Sequence, residues 1–406
     1  MTPLAVERGF VLSRRSKPAQ FVGRVGIAGT VSPWMSGGAA VHPAELMRAL
    51  GKRYIFKAVT PTRNPKITGP KLVEVRTVRY IPYLTTIFLV GQGVRFLKDV
   101  DLVHCHDPRL FLIKQFLRKP LVTTFHGYLT LESVADYHTR PGMPRYEIYR
   151  RTLQGCVRAS DCMIAVDHRI ASWLTEEYLA PDVQVIPNGV DTLRFNPTIG
   201  PQDTRARFGI PAKGPIVLAA KHLTAKNGME YIVRAMPLIL KDVPNAHLVL
   251  AGEGKLRRQL ESLISDLQIR NNVTLPGQIP NEQMPAVIAS CDVGVIPSVR
   301  VGGVEEATSI LMLEMMASGK LVVASAIGGL RETIQNGETG FLVEPADPVA
   351  LANAIVSGLS NPELRARIGA NARGYVERDH SWEAIAAKVA KLYGQFIEID
   401  SRSNQT

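Results

Sequence analysis

Cysteine is scarce in this chain. Its four residues, Cys105, Cys156, Cys162 and Cys291, form no CxxC pair and no zinc-ligand spacing, which argues for inert buried thiols rather than a disulfide framework or a metal site. Long apolar runs are also missing. No window reaches the ~18 uninterrupted apolar residues of a membrane-spanning helix, and the opening stretch "MTPLAVERGFVLSRRSKPAQ" lacks the apolar core of a secretory signal. The expected location is therefore the cytoplasm. Two nucleotide signatures are absent as well: "GIAGT", Gly26 to Thr30, does not have G-x-G-x-x-G spacing, and no segment reads GxxxxGK[ST]. Nicotinamide chemistry and a P-loop thus have little support. Aromatic residues make up 6% of the chain and do not stud a basic stretch, so no nucleic-acid partner is expected.

What is present is an alternation. Short apolar runs such as "RVGIAGT", "LVHCHD", "LVTTFHG" and "CMIAVD" in the first half, and "PIVLAA", "HLVLAG", "NVTLPG", "VGVIPS" and "LVVAS" in the second, read as buried strands. Amphipathic stretches such as "AAVHPAELMRALGKR" and "GKLRRQLESLISDLQ" lie between them, and this rhythm predicts parallel sheets covered on both faces. At 406 residues, with 46% hydrophobic, the chain is long enough for two such domains. The break falls in "NPTIGPQDTRARFGIPAKGP", after which the pattern restarts. The expected division is a first domain over 1–198, with residues 1–20 a loose extension, and a second over 199–380. The apolar stripe of "SWEAIAAKVAKLYGQFIE" is expected to send a final helix, 381–400, back to the first domain. Charge is divided unevenly: residues 1–198 hold 27 Lys+Arg against 15 Asp+Glu, whereas 199–406 hold 21 of each, so the whole net charge of +12 lies in the first half. A basic field on one domain suits anionic partners such as a lipid headgroup or lipid diphosphate, and it is equally compatible with a merely soluble basic surface.

In open parallel sheets ligands collect beyond the carboxyl ends of strands, so the loops there are where chemistry belongs. Gly37 and Gly38 precede a helix whose first N–H groups could face an anion, and they could as well form a plain tight turn. His126 ends the strand "LVTTF", where an imidazole could bond substrate or serve structure. His104 and His106 share a strand face without a third metal ligand. Lys221 and Lys226 share one loop and could neutralise a diphosphate, or could simply be solvated. The turn "GEGKLRR" brings Gly252 and Glu253 to a further strand end as a nucleotide contact. Last comes "VEEATSILMLEMMASGK". Thr308 or Ser309 can cap a helix whose N–H groups favour negative charge, with Glu306 just before the cap and Glu314 about two turns inside an otherwise apolar helix. An unpaired buried carboxylate costs several kcal/mol, roughly. Glu314 therefore needs donors, which the hydroxyls of a ribose or hexose, or one internal basic side chain, could provide.

These segments resemble the retaining nucleotide-sugar glycosyltransferases of family 4, which have the GT-B fold. "GGAAVHPAELMRAL" is similar to that family's GG-A-x6-L start, "VIPNGVDTLRFNP" to the end of its first domain, and "EATSILMLEMMASGKLVVAS" to its E-x7-E signature. The resemblance implies two tandem Rossmann-like domains facing across a cleft. It implies that Glu306 contacts the donor hexose and Glu314 the ribose, that the N–H groups of Thr308, Ser309 and Ile310 bind diphosphate with Lys221 and Lys226, that Gly38 approaches from the other domain, and that His126 sits beside the transferred sugar. Three positions depart from the pattern: Ala307-Thr308-Ser309 replaces Gly-Phe-Gly, Lys221 replaces Arg, and Glu305 duplicates the acid.

The implied activity is metal-independent transfer of a hexose, with retention, from a nucleoside-diphosphate sugar to a glycan or lipid-linked acceptor. The nucleotide-sugar is a co-substrate, and no cofactor is implied. The basic first domain and the apolar "YIPYLTTIFLV" followed by "GQGVRFLK" raise the expectation of an anionic membrane surface as a partner, with peripheral attachment. The competing readings are a GT-B sugar-nucleotide epimerase and a non-catalytic sugar-nucleotide-binding subunit.

Overall fold

The computed structural model describes residues 22–30, 38–62, 73–79, 85–131, 140–200 and 204–403. The extension read at 1–20 and the turn glycine Gly37 lie outside them. In the first domain, β1 (Gly23–Ala28), α1 (Gly38–Leu50), β2 (Tyr54–Thr62), β3 (Val73–Arg79), α2 (Thr85–Phe96), β4 (Leu102–Cys105), α3 (Ile113–Leu117), β5 (Leu121–Phe125), α4 (Pro144–Ala159), β6 (Cys162–Ala165), α5 (His168–Tyr178) and β7 (Val183–Val185) follow in order. Their strands form a seven-stranded sheet ordered β3-β2-β1-β4-β5-β6-β7. Every pairing is parallel, with Ile27 opposite His104 and Thr124 opposite Ile164.

The second domain contains α6 (Thr204–Arg207), β8 (Ile216–Ala220), α7 (Met229–Asp242), β9 (His247–Ala251), α8 (Arg257–Asp266), β10 (Val273–Thr274), α9 (Met284–Ala289), β11 (Val293–Ile296), α10 (Ile310–Ala317), β12 (Leu321–Ser325), α11 (Gly328–Thr333), β13 (Phe341–Val343), α12 (Pro348–Ser360) and α13 (Pro362–Asp379). Its sheet is ordered β10-β9-β8-β11-β12-β13, again all parallel. The final helix, α14 (Trp382–Ser403), packs on α1 and inserts Trp382, Ile385, Val389 and Tyr393 among Leu46, Tyr54 and Phe56 of the first domain. Among the described residues no helix is long and apolar enough to cross a membrane.

The apolar runs of the sequence became strands because both faces of each sheet are covered, so central strands such as β9, β11 and β12 are buried at every residue. Four strands carried no such run. In β2, Lys57 interrupts the pattern and pairs with Asp99 and Glu74, β3 is an edge strand rich in charge, and β7 and β13 are three-residue strands of intermediate burial.

Helix α10 sits unusually close to its sheet. Gly294 in β11 has no room for a side chain, since an added Cβ would lie 2.2 Å from Met315 Sδ, and Met315 is wholly buried. This contact seats the inner face of α10 and leaves Glu314 on the side facing the cleft. Gly294→Val should lower stability by about 1–3 kcal/mol through overpacking, measured as a lowered urea midpoint with an unchanged m-value.

Candidate active site

The carboxyl ends of the two sheets meet around a cleft of ≈ 660 Å³. Its walls include His126, Lys221, Lys226, Gly252, Glu253, Glu306, Thr308, Ser309, Ile310 and Glu314. Gly38 opens α1.

On the second-domain side, β8 delivers Lys221 and the following turn delivers Lys226. Gly252 holds φ +138°, and an added Cβ would stand 2.0 Å from the Lys221 carbonyl, so only glycine lets the β9 loop lie against the lysine loop. Lys221 Nζ lies 2.5 Å from Glu306 Oε1, outside hydrogen-bond geometry, and is enclosed by protein. A cation with unspent donors therefore faces the cleft. Glu253 lines the cleft with its carboxylate paired to Arg257, Nη1 lying 2.6 Å from Oε1.

The two adjacent acids have separate environments. Glu306 lines the cleft and accepts from Ser298 Oγ at 3.3 Å. Glu305 is 5% exposed and is held by Arg169 and Arg300 and by the Gly328 N–H, 2.9 Å away. Its bonding capacity is consumed within the protein.

Ser309 is the N-cap of α10, with its hydroxyl toward the Met312 N–H. Thr308 points elsewhere: its hydroxyl donates to Val166 O at 2.8 Å, and its carbonyl accepts from Asn188 Nδ2 at 2.8 Å. Both partners lie in the first-domain half of the chain. Among the described residues the amides of Ser309, Ile310 and Leu311 have no acceptor, as the first turn of a helix requires. Glu314 lies four residues past the start of α10, about one turn inside rather than two: the cap falls at Ser309 as expected, and at 3.6 residues per turn five residues beyond it do not reach a second turn. Burial raises its pKa to about 8 against the opposing pull of the Arg194 guanidinium. Its side chain makes no hydrogen bond or ion pair among the described residues.

The first-domain wall is a histidine cluster. His126 Nε2 and His106 Nδ1 are 3.1 Å apart, so one ring donates to the other. His42 Nδ1 bonds Asn188 Oδ1 at 3.0 Å, and its ring lies against His126 with centroids 5.0 Å apart. His104 is fixed at both nitrogens, to Thr124 Oγ1 at 2.7 Å and to Tyr393 OH at 2.6 Å. Burial brings His42 down to about 4 and His104 to about 3. Burial, reinforced by neighbouring imidazoles, also puts His106 and His126 well below the usual histidine range. These rings are neutral at neutral pH. His126 Nδ1 is enclosed and has no partner. Among the described residues no group of three or more His, Cys, Asp or Glu is arranged to hold a metal.

Sequence reading missed Asn188, His42 and Arg194. Asn188 and Arg194 stand in "VIPNGVDTLRFNP", whose own residues do not reveal that Asn188 reaches both His42 and Thr308. Arg194 is fixed by donation to Asn281 O and lines the cleft near Glu314.

Two doubly wound parallel sheets facing across such a cleft, with the last helix crossing back to the first, define a GT-B glycosyltransferase. Residues 202–375 match the family model "Glycosyl transferases group 1", and residues 36–194 match "Glycosyltransferase Family 4". The chain is 30% identical over 392 residues to a D-inositol 3-phosphate glycosyltransferase of Streptomyces scabiei, covering 88% of this chain and 86% of that one. It is 28% identical over 390 residues to an uncharacterized glycosyltransferase of Methanocaldococcus jannaschii, covering 91% and 97%. Sucrose-phosphate synthase from Thermosynechococcus elongatus superposes with a TM-score of 0.74 at 26% identity, over 93% of this chain and all of that one. The chain belongs to glycosyltransferase family 4.

The electrostatics give opposite pH dependences. A raised Glu314 pKa means the folded state holds its proton between about pH 4.5 and pH 8, so stability falls as pH rises through that window. The depressed histidines act the other way: their contribution is nearly complete above about pH 6.5 and is lost as pH falls toward 4 and 3. Between pH 7 and pH 8 the last of the histidine contribution is still being gained, so the Glu314 effect is the difference between two chains. Denaturant titrations should show the native chain losing stability relative to Glu314→Gln over that interval.

Proposed function

We propose that this glycosyltransferase moves a hexose from a nucleoside-diphosphate sugar to an acceptor hydroxyl with retention of anomeric configuration. The observation that carries the proposal is one juxtaposition: two lysines and three unbonded helix amides line the same cleft as two carboxylates, Glu306, which pairs with Lys221, and Glu314. A diphosphate matches the positive centre, and sugar hydroxyls match the acids at each end.

The donor bond that breaks joins the anomeric carbon to the terminal phosphate oxygen. Charge then develops on that phosphate, where Lys221, Lys226 and the α10 amides are already aimed, so no solvent reorganisation is needed at the moment of reaction. The acceptor oxygen bonds the anomeric carbon on the face the phosphate leaves, and its proton passes to the departing phosphate oxygen. These cations and amides meet the charge without a metal. Lys221 must exchange part of its pairing with Glu306 for the phosphate, which frees Glu306 to accept from a hexose hydroxyl. A protonated Glu314 can both donate to and accept from a ribose. His126, neutral and with Nδ1 unpartnered, bonds the transferred sugar. The acceptor is a glycan or a lipid-linked molecule, reached from the cytoplasmic side by a peripherally bound enzyme.

The test combines binding and turnover. One of UDP, GDP or ADP should raise the melting temperature, and Glu314→Ala should weaken that shift. Lys221→Ala and Glu306→Gln should each lower the rate of donor consumption by about 10²–10³-fold, the usual effect of removing a preorganised charge partner. The product should retain the donor's anomeric configuration by NMR. An inverted product would refute retention, while donor turnover without any acceptor would point to an epimerase.

A further inference from the structure

The first domain carries a surface that the cleft does not use. Helices α2, α3 and α4 cover one face of its sheet: Leu89 and Leu97 pack with Ile113, Val103 and Cys105, while Leu153, Cys156 and Val157 of α4 pack with Met163 and Ala165. The register that sets Val103 beside Leu121 and Thr123 beside Met163 puts those strand residues on the same side. The helices adjoin one another closely, since a Cβ on Gly93 would meet Ile113 at 2.8 Å and one on Gly155 would meet Phe111 at 2.6 Å. Their outer surfaces thus form one continuous layer, opposite the face covered by α1 and α14.

That layer is both apolar and basic. Ten large hydrophobic side chains are exposed among the described residues, and six belong to it: Ile87, Phe88, Leu112, Phe116, Met143 and Ile148. Phe116 is 66% exposed and Ile87 68%, far more than an isolated domain gains from. The three helices contain six Lys or Arg and one acid, Glu147, which is paired with Arg150. Between the end of α3 and α4 lies a cavity of ≈ 770 Å³ walled by Lys114, Arg118, Lys119, Arg158 and one acid, Asp161, which is paired with Lys114. Arg118 and Arg158 have no side-chain partner among the described residues.

Exposed apolar side chains call for a hydrocarbon boundary, and unpaired guanidiniums call for phosphate. We propose that the α2–α3–α4 layer docks on an anionic lipid bilayer, with Ile87, Phe88 and Phe116 entering the headgroup region and Arg118 and Arg158 receiving lipid phosphate. Ile87 and Phe88 follow the carboxyl end of β3, and Met143 and Ile148 lie beyond that of β5, whereas Phe116, Arg118 and Arg158 lie next to the amino ends of β5 and β6, so the layer spans the full height of the sheet, from the cleft edge to the opposite edge. An enzyme docked on this layer holds one edge of its cleft beside the membrane surface, within reach of an acceptor anchored in lipid. That last step rests on the proposed transfer reaction, whereas docking does not.

Flotation of the full chain with phosphatidylcholine vesicles, with or without phosphatidylglycerol, tests docking without any donor present. The native protein should float with the mixed vesicles and far less with the neutral ones. Phe88→Ser with Phe116→Ser, and separately Arg118→Gln with Arg158→Gln, should each reduce the bound fraction at least about tenfold. Their melting temperatures and donor turnover with a soluble acceptor should match the native chain. Absence of flotation, or equal flotation of all three proteins, overturns the proposal. So does a native dimer that the Phe pair dissociates without vesicle binding, which would make the layer a contact between two copies. If vesicles are bound as described but no donor is consumed, docking stands and the transfer reading falls.

Discussion

The cleft depends on how residues 305–309 are held in place. Five consecutive residues must point a carboxylate into the cleft, turn another away, and leave helix amides unbonded, and a loop left to itself would satisfy those groups with water or with one another. Glu305 supplies the anchor. Its carboxylate has two guanidiniums and a backbone amide around it, and one of the guanidiniums, Arg169, comes from the first domain. A charge so deeply buried is costly unless every lone pair is used, and here that requirement fixes the loop as a side effect. The anchor also reaches the next element, because Glu305 bonds the first residue of α11 while the Glu306 carbonyl accepts from Gly329.

Thr308 completes the arrangement from the other side. Its hydroxyl and its carbonyl are both taken by first-domain groups, Val166 O and Asn188 Nδ2. The residue that replaces a bulky aromatic of the family pattern is therefore a tie between domains. Asn188 extends the tie to His42, whose ring contacts His126, so the two walls of the cleft share one hydrogen-bonded frame. The neutrality of that histidine wall follows from its burial, and it leaves the positive charge of the cleft concentrated on the lysine side.

Sequence patterning was a good guide wherever a local rule governed the outcome. Strands buried on both faces must be apolar throughout, so β8, β9, β11 and β12 could be read directly, and the eight-residue spacing placed Glu306 and Glu314 along one segment. Long-range contacts were not legible. Lys57 in β2 looks like a strand breaker until Asp99, 42 residues away, is seen beside it. Glu305 and Glu306 are chemically identical neighbours, and their difference comes from Arg169, more than a hundred residues upstream. Asn188 joins positions 146 residues behind and 120 ahead. The Ser309 cap of α10 was legible in the sequence, and Glu314 lies one turn rather than two beyond it only because a turn takes 3.6 residues.

The returning helix α14 has a consequence for synthesis. Trp382 lies directly against Gly189, and Tyr393 bonds His104 in the middle of the first sheet, so nearly two hundred residues of the second domain separate the first domain from its own missing wall. As the chain leaves the ribosome, the first sheet must wait with Leu46, Tyr54 and Phe56 uncovered until α14 emerges. The two domains are thus joined in time as well as in space. Helix α14 acts as a completion signal that is given only once both domains have been made.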